Sequence, residues 1–119
     1  MPQAITPILR IFDYDKAVDF YVNWLGFRID WEHRFEDNTP VYMEISKSDL
    51  RLHLSEHHGD GVPGVKMLVE YPELENYHRE LLDKRYKYMR PGLEDAFWGA
   101  LTMQVIDPFG NRLEFFRRK

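Results

Sequence analysis

No cysteine occurs among the 119 residues, which excludes disulfides, thiolate metal sites and a cysteine nucleophile. No stretch approaches the roughly 20 apolar residues needed to cross a bilayer. Met1 to Arg10 hold no basic segment followed by a long apolar run, so no secretory signal is predicted and a cytoplasmic protein is expected. Basic clusters are also scarce. None exceeds the terminal Arg117-Arg118-Lys119, and the formal net charge is −4. Such a chain lacks the basic surface that neutralises phosphates, which argues against nucleic acid and suits a neutral or cationic ligand.

Aromatic residues are plentiful instead: eight Phe, seven Tyr and three Trp make up 15% of the chain. Aromatics fill cores and also wall small-molecule pockets, so the excess fits either use. Hydrophobic residues at 44% and charged residues at 30% give an ordinary globular composition.

The apolar pattern predicts strand, helix and three strands, then the same order again. Ile5 to Phe12 reads as a short strand, with Asp13 and Asp15 as N-caps of the following helix. Ala17, Phe20, Tyr21, Trp24 and Leu25 form one apolar stripe at helical spacing, and Gly26 stands where a left-handed C-cap is expected. From Phe27 the period becomes two. Phe27, Ile29, Trp31, His33 and Phe35 alternate with five charged residues, predicting a strand with one apolar and one charged face. Val41 to Ser46 and Leu50 to Ser55 read as strands joined by a tight Ser48-Asp49 turn.

A glycine-rich stretch, His57 to Gly64, reads as a linker. It lacks the Gly-Lys-Ser/Thr ending of a phosphate cradle, which argues against nucleotide binding. Beyond it, Val65 to Glu70 predicts a strand. Pro72 is placed as the first residue of a helix carrying Leu74, Tyr77, His78, Leu81 and Leu82. Tyr86 to Met89 reads as a short strand and Pro91 to Phe97 as a loop. Gly99 to Ile106 and Arg112 to Phe116 then form a hairpin around Asp107-Pro108-Phe109-Gly110-Asn111. The halves align with Ile8 on Val65, Phe20 on Tyr77 and Leu25 on Leu82. The expected fold is α+β, two tandem βαβββ modules (1–58 and 64–119) within one domain spanning 1–119. Four strands and one helix bury little on their own, so the halves, and two chains, are expected to share a core.

Phe20-Tyr21-x-x-x-Leu25-Gly26-Phe27 and Asp107-Pro108-x-Gly110-Asn111-x-Leu113-Glu114-Phe115, within this tandem pattern, resemble the glyoxalase or vicinal oxygen chelate superfamily. Leu52-His53-Leu54-Ser55-Glu56-His57-His58-Gly59-Asp60-Gly61 and Trp98-Gly99 are similar to its bleomycin-resistance branch. The resemblance covers essentially the whole chain, on a scaffold that hosts many chemistries.

For the superfamily's enzymes the resemblance implies a divalent metal held by side chains from several strands. The corresponding positions here are Thr6 or Pro7, Gly64 or Val65, and Glu114; Glu114 alone has a ligand's chemistry. No metal and no cofactor are therefore expected, and no catalytic residue is assigned. What remains resembles a homodimeric protein that sequesters a flat, cationic antibiotic of the bleomycin type. Trp31 and Phe35 match the branch's cleft aromatics, Trp98 its Trp-Gly motif, and Glu114 borders the cavity. Aromatic stacking and cation–π attraction suit such a ligand, with Glu32, Glu94 or Asp95 available to meet its amines. His53, Glu56, His57 and His58 do not make His-Glu-x-x-His and do not sit on a helix. The alternative function is a metal-dependent glyoxalase- or dioxygenase-like enzyme with ligands around His53, His57 and Glu114.

Overall fold

Short runs of alternating residues separated by turn-forming Asp, Pro and Gly build small sheets here, each with one buried and one open face. The computed structural model describes residues 3–119. In order, the elements are β1 (Ile8–Arg10), α1 (α-helical over Tyr14–Ala17, π-helical over Val18–Trp24), β2 (Arg28–His33), β3 (Tyr42–Lys47) and β4 (Leu50–Ser55). After the glycine loop come β5 (Lys66–Glu70), α2 (Leu74–Asp83), β6 (Glu94–Ala96), β7 (Ala100–Ile106) and β8 (Arg112–Arg118). The fold is α+β, with the βαβββ order occurring twice. The chain divides into two compact units at the junction of Pro63 and Gly64.

In the first unit the strand order is β1-β4-β3-β2, with β1 parallel to β4 and the other neighbours antiparallel. Leu9, Met43, Ile45, Leu52 and Leu54 are buried, as are Ala17, Phe20, Tyr21, Trp24 and Leu25 of the helical stripe. Asp13 caps α1 by accepting the Lys16 N–H at 2.9 Å, and Gly26 adopts φ +88° after its end. The helix winds wider than an α-helix. Leu25 N–H donates to Phe20 C=O, five residues back, at 2.9 Å. The longer repeat still keeps the stripe on one side, where Phe20 meets Tyr21 edge-on at 4.8 Å between ring centres.

The second unit repeats the order as β5-β8-β7-β6, with β5 parallel to β8. Leu74, Tyr77 and Leu81 of α2 are buried, along with Met103, Val105, Leu113 and Phe115 of β7 and β8. Tyr77 meets Phe115 edge-on at 5.3 Å. The hairpin before β8 explains why Asp, Gly and Asn stand where they do. The Asp107 carboxylate accepts the N–H groups of Phe109 and Asn111 and the Asn111 side-chain amide at 2.8–2.9 Å, while Gly110 adopts φ +96°.

Five sequence expectations are corrected. The first strand is confined to Ile8–Arg10 rather than Ile5 to Phe12. The α-helical spacing read for α1 gives way to π winding from Val18. Pro72 lies in the turn ahead of α2, which begins at Leu74. Tyr86 to Met89 forms turns, and the strand falls at Glu94–Ala96, inside the stretch read as a loop; pairing with β7, not local propensity, decides that placement.

The fifth correction concerns β2. The register slips at Asp30: Ile29 faces Ile45, and Trp31, two residues on, faces Glu44. Asp30 is the extra residue of a β-bulge, which reverses the facing of everything after it. Ile29 stays with the core row of β3. Trp31 and His33 turn to the opposite, open face, and Glu32 turns toward α1. The continuous alternation from Phe27 to Phe35 does not exist.

Candidate functional site

The two-residue turn at Ser48-Asp49 fixes the β3–β4 register, so Glu44 lies opposite His53 and Tyr42 opposite Ser55. On the open face of the first unit this puts Trp31, Tyr42, Glu44 and His53 side by side. The Trp31 and Tyr42 rings stack at 5.9 Å between centres and 11° between planes. His53 meets both edge-on, at 5.3 Å from Trp31 and 5.2 Å from Tyr42. Its ring is held at both nitrogens: Nδ1 lies 2.8 Å from the Tyr42 hydroxyl and Nε2 3.1 Å from a Glu44 oxygen. Burial, and then the charge of Asp60, pushes the Tyr42 phenol above its ordinary value, so it remains a donor. With the ring proton on Nε2, Tyr42 O–H donates to Nδ1, Nε2–H donates to Glu44, and all three groups are satisfied.

The loops extend this wall. His57 lies 6.4 Å from Tyr42 and 6.0 Å from Phe35, whose ring meets His33 edge-on at 4.8 Å. The His57 N–H donates to the Ser55 hydroxyl, which in turn donates to Asp60, pinning the loop to the end of β4. The bulge is pinned as well: the Ser46 hydroxyl donates to Asp30 at 3.0 Å and Arg28 pairs with Asp30 at 3.1 Å. Trp31 is 43% exposed and Phe35 76%, so both offer ring surface to a ligand.

In the second unit, Trp98 meets Phe116 edge-on at 5.1 Å. Phe116 and Glu114 share the open face of β8 with Thr102 and Gln104 of β7 and Leu68 of β5. Glu114 pairs with the Lys66 ammonium at 3.4 Å. Trp31 and Phe35 thus belong to one aromatic wall, while Trp98 and Glu114 belong to the other unit's open face.

Of the carboxylates read as amine partners, Glu32 is turned away from Trp31 and accepts the Tyr14 hydroxyl. That hydrogen bond first, and burial second, raises the Tyr14 phenol to about 12. Asp95 pairs with Lys119. The residues that sequence reasoning missed are Tyr42 and Glu44. Their signal was present in the turn length, which sets Glu44 against His53 by counting.

The donor set does not fit a divalent ion. Thr6, Pro7, Gly64 and Val65 bring neither imidazole nor carboxylate, Glu114 faces an ammonium, and His53 is engaged at both ring nitrogens. Among the described residues, no three His, Asp or Glu side chains are grouped to hold a metal.

A family model described as "Glyoxalase superfamily protein" matches residues 1–119. The chain belongs to the glyoxalase superfamily. Bleomycin resistance proteins of Geobacillus stearothermophilus and Staphylococcus aureus are each 26% identical over 136 residues, covering 99% of this chain and 98% of theirs. The fold of this glyoxalase-superfamily chain is shared with a bleomycin-binding protein solved with bleomycin, at TM-score 0.74 and 23% identity over 99% of this chain and 100% of that one. A glyoxalase-related enzyme from Clostridium phytofermentans has the same TM-score, 0.74, at 18% identity over 100% of this chain and 97% of its own. Binders and enzymes therefore share this scaffold, and the side chains decide between them.

Proposed function

We propose that this protein binds and sequesters a flat, cationic small molecule, of which a bleomycin-type antibiotic is the model, without transforming it. The observation that carries the reading is the half-exposed Trp31 ring, stacked on Tyr42 and braced by His53, on an open sheet face beside the carboxylate of Glu44. A planar heteroaromatic cation gains stacking and cation–π attraction on such a surface, together about 1–3 kcal/mol. Phe35 extends that surface. Trp98, with Glu114 on the same unit's open face, offers a second one. The bleomycin resistance proteins among its relatives, matched nearly end to end, support the choice of ligand.

The reading includes a homodimer in the cytoplasm, with the modules 1–58 and 64–119 acting as one domain. The family match across both modules supports that last element.

Titration with bleomycin, following tryptophan fluorescence and heat, is the direct test. Saturable quenching at micromolar drug, with the drug recovered unchanged, is expected; silence in both signals overturns the reading. Elemental analysis of purified protein tests the rival, metal-dependent enzyme with ligands around His53, His57 and Glu114. Stoichiometric zinc, manganese or iron would replace capture by catalysis.

A further inference from the structure

His53 stands in the middle of the Trp31 wall, between the ring that stacks and the carboxylate beside it. Its side chain is 20% exposed and that of Glu44 15%, so their contact is partly shielded from water. Imidazoles take up a proton between pH 8 and pH 5, a range in which carboxylates, guanidinium groups and phenols keep their charge. Charged and titratable groups approach His53 from several elements. Glu44 and Tyr42 face it from β3, and Asp30 with its partner Arg28 lies beyond them on β2. Arg51 precedes it on the same face of β4, with Nε 3.8 Å from Glu44. On β1, Ile8 lies opposite His53 and Arg10 is two residues on. His57 and Asp60 belong to the loop beyond Tyr42. Asp30 with Arg28, and Glu44 with Arg51, carry the same charges at both ends of that pH range. His33 and His57 also titrate, but their ring contacts are with Phe35, at 4.8 and 6.0 Å, and not with Trp31.

Protonation rewires the hydrogen bonds. A neutral ring accepts the Tyr42 O–H at Nδ1 and donates from Nε2 to Glu44, at 2.8 and 3.1 Å. An imidazolium donates from both nitrogens, so the Tyr42 oxygen must accept and its own proton must turn away. The bond to Glu44 becomes an ion pair, and a positive charge is added to a ring centred 5.3 Å from that of Trp31. A cation stacked on Trp31 then meets a like charge at close range; an uncharged ring of the same shape does not. We propose that His53 sets the charge preference of this surface. Neutral, it positions Glu44 beside a bound flat cation; protonated, it neutralises Glu44 and repels that cation. The inference rests on the reading of the Trp31 wall as the capture surface, and adds a proton as its control.

N-Methylquinolinium is the probe, a flat cation with no titratable group, and 1-naphthylmethanol is its uncharged counterpart. A fixed charge keeps the ligand's own protonation out of the pH profile. Calorimetry on the full chain between pH 8 and pH 5 reads both affinities. The cation is expected to weaken at least about fivefold toward pH 5, and the uncharged compound to change less than about twofold. His53→Gln keeps a donor and an acceptor for Glu44 and Tyr42 but takes up no proton, so its cation affinity should be flat over that range. In the wild-type chain, the His53 ring-nitrogen shifts should move over the same pH interval as the affinity, a readout that needs no variant. Equal cation affinity at both pH values, an equal fall for both compounds, or a wild-type fall in His53→Gln would overturn the proposal and leave capture standing. So would ring-nitrogen shifts that move in a different pH interval from the affinity. No binding of either compound at any pH would overturn the capture reading, and this inference with it.

Discussion

Trp31 presents part of its ring to solvent while Tyr42 lies parallel beneath it, so removing it takes away binding surface and little core. Trp31→Ala is expected to weaken bleomycin by roughly 5–30-fold, the equivalent of about 1–2 kcal/mol, with Trp31→Phe retaining most of the affinity. Calorimetry on both variants reads this directly, and an unchanged affinity in Trp31→Ala would move the site elsewhere. A different residue governs acid behaviour. Both oxygens of Glu75 accept from Arg117, at 2.6 and 2.7 Å, which holds its carboxyl down at about 2. A depressed carboxylate stabilises the folded chain above its ordinary value near 4.5, and that contribution is lost as pH falls toward 2. Carboxyl-carbon NMR should show Glu75 still ionised at pH 3, and Arg117→Gln should return it to the ordinary range.

Among the elements, β2 decides the most, because one extra residue at Asp30 chooses which side chains meet a ligand. Deleting Asp30 removes the bulge but places Trp31 directly after Ile29, still opposite Glu44 on the open face. Bleomycin binding is then expected to persist, and far-UV circular dichroism to keep its sheet signal; loss of binding would show that the bulge itself shapes the site. Asp30→Ala keeps the bulge and loses only its hydrogen bonds, so binding should persist at a stability cost of about 1 kcal/mol in urea unfolding. The end of α2 carries a second localised strain. Arg85 adopts φ +54° just past Lys84, a conformation that costs a residue with a Cβ about 1–2 kcal/mol. Gly26 fills the comparable place after α1. Arg85→Gly is expected to raise Tm by about 4 °C in calorimetry.

On the scale of the whole molecule, the net charge of −4 and the repeated unit set the expectations. Long-range attraction of an acidic protein for a cationic drug is screened by salt, so bleomycin affinity should fall as ionic strength rises. Sedimentation at micromolar concentration is expected to give twice the chain mass. A monomer there would remove the dimer from the proposed function while leaving the Trp31 surface intact.

The order of elements, the repeat, the buried stripe from Ala17 to Leu25 and the cap at Asp13 are all consequences of local chemistry, and the residues alone dictated them. Spacing along a helix and turn-forming side chains need no distant partner to act. Which way Trp31 faces is different. A bulge exists only relative to the strand beside it, so Asp30 looks like any other residue until β3 is paired against β2. The same holds for the strand at Glu94–Ala96, made by pairing with β7, and for the bonds that join Tyr42, His53 and Glu44 across two strands. Local periodicity determined what this chain could build; strand pairing decided which side chains stand together to receive a ligand.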